Sequence, residues 1–159
     1  SFLSQLGKVG EYAIGKQQFA RNWETLTWTA DAHRALNRTS FDTAATDHQA
    51  LVWRNEYALV NGSVDVMSLP EYQIHGRSPK SSFLKTTLRV EKAGKVVLEM
   101  GPLKGTAIWI DGKPRKIEKR LQLDLSKGQH VLNFSVNREV QKTFRVELIA
   151  AESTAARFE

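Results

Sequence analysis

A run of short segments in which apolar and polar residues alternate constrains this chain more than any other feature. The run extends from Gly94 to Leu148, and glycine-containing turns separate its segments. Alternation with a period of two puts every second side chain on the same face of an extended strand, whereas a helix needs a period near 3.6. The run therefore predicts a series of antiparallel strands, each with one face in a hydrophobic core.

One turn in this run can be assigned from its residues. Asp111-Gly112 stands between two apolar alternations, and Asp-Gly is a strong signal for a two-residue hairpin because glycine accepts the positive φ that a type I′ turn requires. Pro114 follows, and a proline cannot donate a hydrogen bond to a neighbouring strand. The returning strand is therefore predicted to be very short or to lie at the edge of a sheet.

The sequence before this run is less regular but contains further helix and strand signals. A short helix is predicted over Asp31 to Leu36, with Thr29 or Asp31 as its N-cap. Residues 39–49 are predicted to form a polar loop with one helical turn. Further strands are predicted at residues 23–29, at 51–60, from Val64 and at 81–91.

The number and spacing of these segments predict the fold class. About nine or ten strands at a spacing near 8–12 residues are typical of two packed sheets. We therefore predict an all-β fold, an antiparallel two-sheet β-sandwich of jelly-roll type, with an N-terminal arm and one short helix. The predicted division is an arm over residues 1–22, a sandwich domain over residues 23–150 and a C-terminal tail over residues 151–159.

The composition agrees with a single folded domain and excludes several kinds of chemistry. The chain has 159 residues, of which 41% are hydrophobic, and it contains no cysteine. A chain without cysteine forms no disulfide, thiolate metal site, cysteine nucleophile or covalent haem attachment. No stretch reaches the roughly 18 consecutive apolar residues of a membrane span, so no span is predicted. Because the chain begins with Ser1, it is predicted to be a processed or excised piece of a longer protein.

The net charge of +6 raises the question of an anionic partner. A basic domain can bind phosphate or acidic polysaccharide when its basic residues are clustered. The densest cluster lies at residues 113–120, where Glu118 interrupts the lysines and arginines. Two interpretations remain open, a solvated hairpin surface and a patch for an anionic ligand, and no nucleic-acid partner is predicted.

The sequence contains no pattern of catalytic residues. There is no Gly-x-Ser-x-Gly, His-Glu-x-x-His, phosphate-loop or Rossmann glycine motif. The four histidines are far apart in sequence, and Asp42 and Asp47 share a polar loop that lacks a calcium-binding pattern. We therefore expect a non-catalytic domain with no metal site and no cofactor of its own, calcium included.

Four tryptophans are the remaining candidates for ligand contact. An exposed indole ring can stack on the C–H face of a sugar while neighbouring polar side chains bind the hydroxyls. Trp109 lies between Ile108 and Ile110 and so occupies the opposite face of its strand, which leaves open whether it belongs to the core or to a ligand platform. The predicted ligand-binding residues are Trp109, Asp111, Lys113 and Arg115.

Residues 108–114 and 123–134 carry a two-part pattern. The first part reads Ile-Trp-Ile-Asp-Gly-Lys-Pro, and the second reads Leu-Asp-Leu-Ser-Lys-Gly-Gln-His-Val-Leu-Asn-Phe. This pattern resembles β-sandwich modules in the sugar-binding and anthrax-protective-antigen-like domains of large secreted bacterial proteins. More generally it is similar to carbohydrate-binding jelly rolls of galactose-binding-like type, which is the fold that the resemblance implies.

A closer resemblance is to the C-terminal β-sandwich region of bacterial haem-containing, glucose/sorbosone-dehydrogenase-like multidomain proteins. Residues 81–148 carry most of it, and residues 10–24 and 58–70 are also similar. The haem-attaching motif and the catalytic residues of that family's propeller have no counterpart in this chain. The resemblance therefore implies that any haem or dehydrogenase chemistry belongs to a partner domain, and it transfers no catalytic residue.

We therefore expect a non-catalytic, carbohydrate-binding accessory module of a larger exported bacterial protein, periplasmic or extracellular, with a polysaccharide as its partner. The alternative is a structural or docking domain that packs against a c-type haem or dehydrogenase-like domain and binds no small ligand. A sugar module requires exposed tryptophans and converging polar side chains in a groove. A docking domain requires a broad exposed apolar patch.

Overall fold

The computed structural model describes residues 17–149 and 155–159. Within them are one α-helix, α1, at Ala30–Arg38, and two 3₁₀ helices, η1 at Phe41–Ala45 and η2 at Val66–Ser68. The strands, in chain order, are β1 Gln17–Phe19, β2 Asn22–Leu26, β3 Trp53–Tyr57, β4 Val64–Asp65, β5 Ser81–Val90, β6 Gly94–Gly101, β7 Thr106–Ile110, β8 Lys113–Arg115, β9 Arg120–Leu125, β10 Gly128–Asn137, β11 Thr143–Ile149 and β12 Ala156–Phe158.

The strands form two antiparallel sheets with a hydrophobic core between them. The smaller sheet has the order β1-β11-β6-β9, with β4 also paired to β11. The larger sheet has the order β3-β2-β5-β10-β7-β8, with β12 also paired to β5. Alternate apolar side chains of both sheets fill the core, among them Leu84, Leu98, Leu123, Phe134 and Val146. The predicted all-β, two-sheet sandwich is confirmed, and its cause is the predicted alternation of apolar residues.

A second hydrophobic core lies on the outer face of the larger sheet. The sheet contributes Leu26 and Phe83 to this core, and α1 contributes Ala32 and Leu36. The helix begins near the predicted residue because the Thr29 side chain caps it, with Oγ1 accepting a hydrogen bond from the Ala32 amide at 3.0 Å. The helix and η1 together form a cover over this face.

The cover buries residues that alternation alone places in water. Asn133 and Ser135 project from β10 on the side opposite Phe134, and both are buried. Asn133 Nδ2 donates a hydrogen bond to the carbonyl oxygen of Ala44, in η1, at 3.3 Å. The alternation places Asn133 and Ser135 on the side of β10 that faces away from the inner core, and a segment remote in sequence buries them there.

The hairpin between β7 and β8 has the predicted conformation. The φ angle is 51° at Asp111 and 82° at Gly112, both positive as a type I′ turn requires. Strand β8 contains only three residues and forms one edge of the larger sheet. The effect predicted for Pro114 is therefore confirmed.

Three strands are shorter than the sequence predicts. The strand predicted at residues 23–29 ends at Leu26. The strand predicted over residues 51–60 is Trp53–Tyr57. The strand predicted from Val64 ends at Asp65, whose side chain accepts a hydrogen bond from the Met67 amide and so begins η2.

The described ends of the chain take part in the sheets. Strand β1, within the predicted arm, pairs with β11, and β12, within the predicted tail, pairs with β5. Residues 1–16 of the arm and 151–154 of the tail lie outside the described residues. The predicted division into arm, sandwich domain and tail stays a prediction.

Candidate functional site

Trp109, the first predicted ligand contact, is buried on the outer face of the larger sheet. It lies opposite Asn133 of the neighbouring strand β10, and only 5% of its surface is exposed. Its indole Nε1 donates a hydrogen bond to Oδ1 of Asp42, in η1, at 2.8 Å. Of the two positions that the sequence leaves open, the structure has the buried one, so η1 covers Trp109 and its ring offers no free face to a ligand.

Asp111, the second predicted contact, joins the β7–β8 hairpin to β10. Its Oδ1 accepts a hydrogen bond from the Val131 amide at 2.9 Å, and its Oδ2 lies 2.6 Å from His130 Nδ1. The other ring nitrogen of His130 lies 2.8 Å from the Ser126 carbonyl oxygen. Both nitrogens of this imidazole therefore face acceptors, an arrangement that suits the protonated ring, which donates twice.

Opposing effects act on the pKa of His130. Burial of the ring would lower this pKa, because it disfavours the charged form. The hydrogen bonds to Asp111 and Ser126, together with the charge of Asp111, outweigh burial and raise the pKa of His130 above its usual value. The hairpin is thus held to β10 by a pair whose strength depends on the protonation of His130.

A polar cleft of about 250 Å³ opens where this hairpin meets the cover. We call it the hairpin cleft. Charged or amide side chains from four separate parts of the fold line it: Asp47 from the segment after η1, Lys85 from β5, Asp111 from the hairpin turn and Asn133 from β10. Residues 45, 46, 112 and 131 complete the lining.

The polar groups of the hairpin cleft are chemically diverse. Asp47 and Asp111 supply acceptors, Lys85 supplies an ammonium donor, and the Asn133 amide can do both. Lys85 Nζ also lies 4.3 Å from the centroid of the Trp53 ring, a cation–π contact that connects the cleft to a half-buried indole. Such a set can bind the vicinal hydroxyls of a polar ligand, each of which donates and accepts.

The structure brings only one of the four predicted contacts into the hairpin cleft. Asp111 lines it, and Trp109 lies beneath η1 next to Asn133. Lys113 and Arg115 are exposed on β8 and are not among the lining residues. The basic run that they begin therefore does not extend into this cleft.

Sequence reasoning missed three of the four charged or amide residues that meet here. Asp47, Lys85 and Asn133 lie far apart in the chain, and each resembles an ordinary surface residue of a loop or strand. A signal was present for two of them, because Lys85 and Asn133 are direct partners in the pairing of β5 with β10. Correct pairing of these two strands would have placed both residues on one polar face.

A larger cleft of about 520 Å³ runs along α1, but its chemistry is less concentrated. One helix face and the adjoining segments line it, including Arg34, Arg38 and His48. Arg34 is already paired with Asp31, its neighbour one turn away, at 2.7 Å. The hairpin cleft, where separate elements converge, is the better candidate site.

In the part of the chain that the structure describes, no three His, Asp or Glu side chains come together as a group that could hold a metal ion. Every helix in this part falls short of the length and apolar character needed to cross a bilayer. No protein-family model matches the chain, and no curated protein matches it either.

Proposed function

We propose that this domain is a non-catalytic carbohydrate-binding module, an accessory part of a larger exported bacterial protein. The observation that carries the proposal is the convergence of Asp47, Lys85, Asp111 and Asn133 in the hairpin cleft. The resemblance of residues 81–148 to a domain of multidomain haem-containing proteins supports the accessory role and the exported location.

The chemistry of the cleft favours a neutral, hydroxyl-rich ligand over a simple anion. The Asp47 carboxylate borders the cleft and would repel a phosphate or sulfate that Lys85 attracts, and the Asp111 carboxylate adds to this repulsion when His130 beside it is neutral. Sugar hydroxyls donate to Asp47 and Asp111 and accept from Lys85, so all three side chains are used at once. A cleft of about 250 Å³ is smaller than a typical drug-sized pocket, which suits one unit of an extended polysaccharide.

A glycan panel titrated against the domain, followed by tryptophan fluorescence, tests the proposal. The Trp53 ring lies against Lys85, so a ligand that displaces the ammonium changes the surroundings of the indole. We expect Asp47→Asn and Lys85→Met to weaken binding about tenfold each, since a hydrogen bond to a charged group contributes about 1.5–3 kcal/mol. Both substitutions keep the size of the side chain.

Matched controls are available on the smaller sheet and its adjoining turn. Asp124→Asn and Lys127→Met make the same chemical changes at exposed positions of β9 and the β9–β10 turn, and they should leave binding unchanged. A panel in which no glycan changes the fluorescence would contradict the proposed function and favour the docking alternative. Binding that is unaffected by Asp47→Asn and Lys85→Met would contradict the site but not the function.

A further inference from the structure

Among the described strands, β3 forms one edge of the larger sheet. It pairs with β2 on one side, and no other strand within residues 17–149 or 155–159 pairs with its second side. The hydrogen bonds from Thr27 N to Val52 O and from Ala58 N to Arg21 O, each 2.9 Å long, fix which residues face β2. Because the pattern alternates, residues 54 and 56 point their backbone groups toward β2 and residues 53, 55 and 57 point theirs outward.

The edge carries few of the features that usually block pairing with another chain. Residues 50–60 contain no proline and no lysine. Several apolar side chains on and beside the strand are exposed, with Tyr57 at 65% and Val60 at 88%. Val52 and Leu59 are exposed as well. An exposed apolar strand edge of this kind is a template for a further strand.

The sequence of β3 is complementary to itself when the second strand runs antiparallel. With a two-fold axis at Asn55, Arg54 lies opposite Glu56 of the second copy, and Trp53 lies opposite its Tyr57. Opposite charges and aromatic pairs directly across an antiparallel pair are stabilising. The outward-facing backbone groups of residues 53, 55 and 57 also meet in this register, so each pair can exchange two hydrogen bonds.

We propose that β3 is a homodimerisation edge, at which two copies of this chain join their larger sheets in antiparallel fashion about Asn55. Arg54 and Glu56 already lie 3.7 Å apart within one chain, on the same side of the strand. In the dimer two such pairs meet as four alternating charges. The occupant of the edge is thus a second copy of this chain.

Other registers are disfavoured by the same residues. A shift of one residue places an outward-facing residue of one copy opposite a residue of the other copy whose backbone groups point toward β2, so the pair cannot exchange hydrogen bonds. A shift of two residues in either direction places Arg54 opposite Arg54 or Glu56 opposite Glu56, and like charges directly opposite each other are destabilising. Parallel pairing in register also brings the arginines together. The charges at positions 54 and 56 therefore select one arrangement.

Charge reversal, measured by sedimentation velocity from micromolar to millimolar protein, tests the dimer. We expect a concentration-dependent dimer for the native chain and at least about tenfold weaker association for R54E and for E56R, since each sets like charges opposite each other. The double variant R54E/E56R restores opposite charges and should regain the native association. An equimolar mixture of R54E and E56R should form a heterodimer, because both cross-strand pairs then join a glutamate to an arginine.

The control is R115E, which reverses an exposed arginine on β8, the opposite edge of the same sheet, and should leave the dimer intact. Circular dichroism establishes that each variant is folded. A native chain that stays monomeric at millimolar concentration would overturn the proposal. So would single variants that associate normally, a double variant that fails to regain association, or an R115E variant that loses it.

Hydrogen exchange supplies a readout for the arrangement itself. The amides of residues 53, 55 and 57 should gain protection as the protein concentration rises, while those of residues 54 and 56, already bonded to β2, should change little. Concentration-dependent protection of all five amides alike, or of none, would contradict pairing along this edge.

Discussion

The contact between His130 and Asp111 predicts a dependence of stability on pH. The pKa of His130 is raised in the folded protein, so the folded state binds its proton more tightly than the unfolded chain does. The stabilisation is fully present below the ordinary value of 6.5 and is lost as the pH rises through the raised, folded pKa. Urea unfolding at a series of pH values should show this decrease in the free energy of unfolding.

The substitution His130→Gln should remove this component of the pH dependence, because glutamine does not titrate. His48→Gln, at an exposed position in the segment after η1, serves as the control. It should leave the His130 contribution to the pH dependence of stability in place. A direct NMR titration that gives the folded His130 a pKa at or below 6.5 would contradict both the direction and the argument.

At the scale of elements, Arg138 fastens the irregular segment after β4 to the larger sheet. Its guanidinium Nη1 donates to the carbonyl oxygens of Val66 and Leu69, both at 2.7 Å, and lies 3.1 Å from Ser82 Oγ, while Nη2 donates to the carbonyl oxygen of Met67 at 3.3 Å. We expect Arg138→Lys to lower the free energy of unfolding by about 2 kcal/mol, since an ammonium cannot reproduce the planar fork and leaves buried acceptors unpaired. Urea unfolding measures this loss.

Arg115→Lys provides the comparison for that measurement. Arg115 is exposed on the edge strand β8, so the same chemical change should alter the free energy of unfolding by less than about 0.5 kcal/mol. If Arg138→Lys proved as mild as Arg115→Lys, the guanidinium would not be what holds the segment in place.

Individual elements also explain how far the sequence predicts this fold. Strands β5 to β11 and the Asp111-Gly112 turn are predictable because their signals, a period of two and a residue that accepts positive φ, are local. The burial of Asn133 and the role of Arg138 are not, because both depend on segments far away in the chain. Asn133, for example, bonds to Ala44, 89 residues earlier. The candidate site suffers from the same limit: Lys85 and Asn133 lie on strands with local signals, but only the pairing of β5 with β10 brings them together.

At the scale of the whole molecule, residues 17–149 and 155–159 form two hydrophobic cores that share the larger sheet. The core between the sheets is enclosed by paired strands on both sides. The outer core is enclosed by strands on one side only, and by α1 and η1 on the other. Because α1 contributes no strand to either sheet, the cover can open without breaking a strand pair, whereas the inner core cannot be exposed without separating the sheets.

This difference predicts two levels of stability in native-state hydrogen exchange. Amides of α1 should exchange through an opening of lower free energy than amides of the central strand β10. Leu36→Ala, in the outer core, should lower the opening free energy of α1 by about 2 kcal/mol or more while changing that of β10 less. Leu98→Ala, the same substitution in the inner core, should lower the protection of both elements, because losing that core unfolds the whole chain. The opposite outcome is that α1 and β10 exchange with equal free energies and that Leu36→Ala lowers both alike. The cover and the sandwich would then unfold as one cooperative unit, and the outer core would have no independent stability.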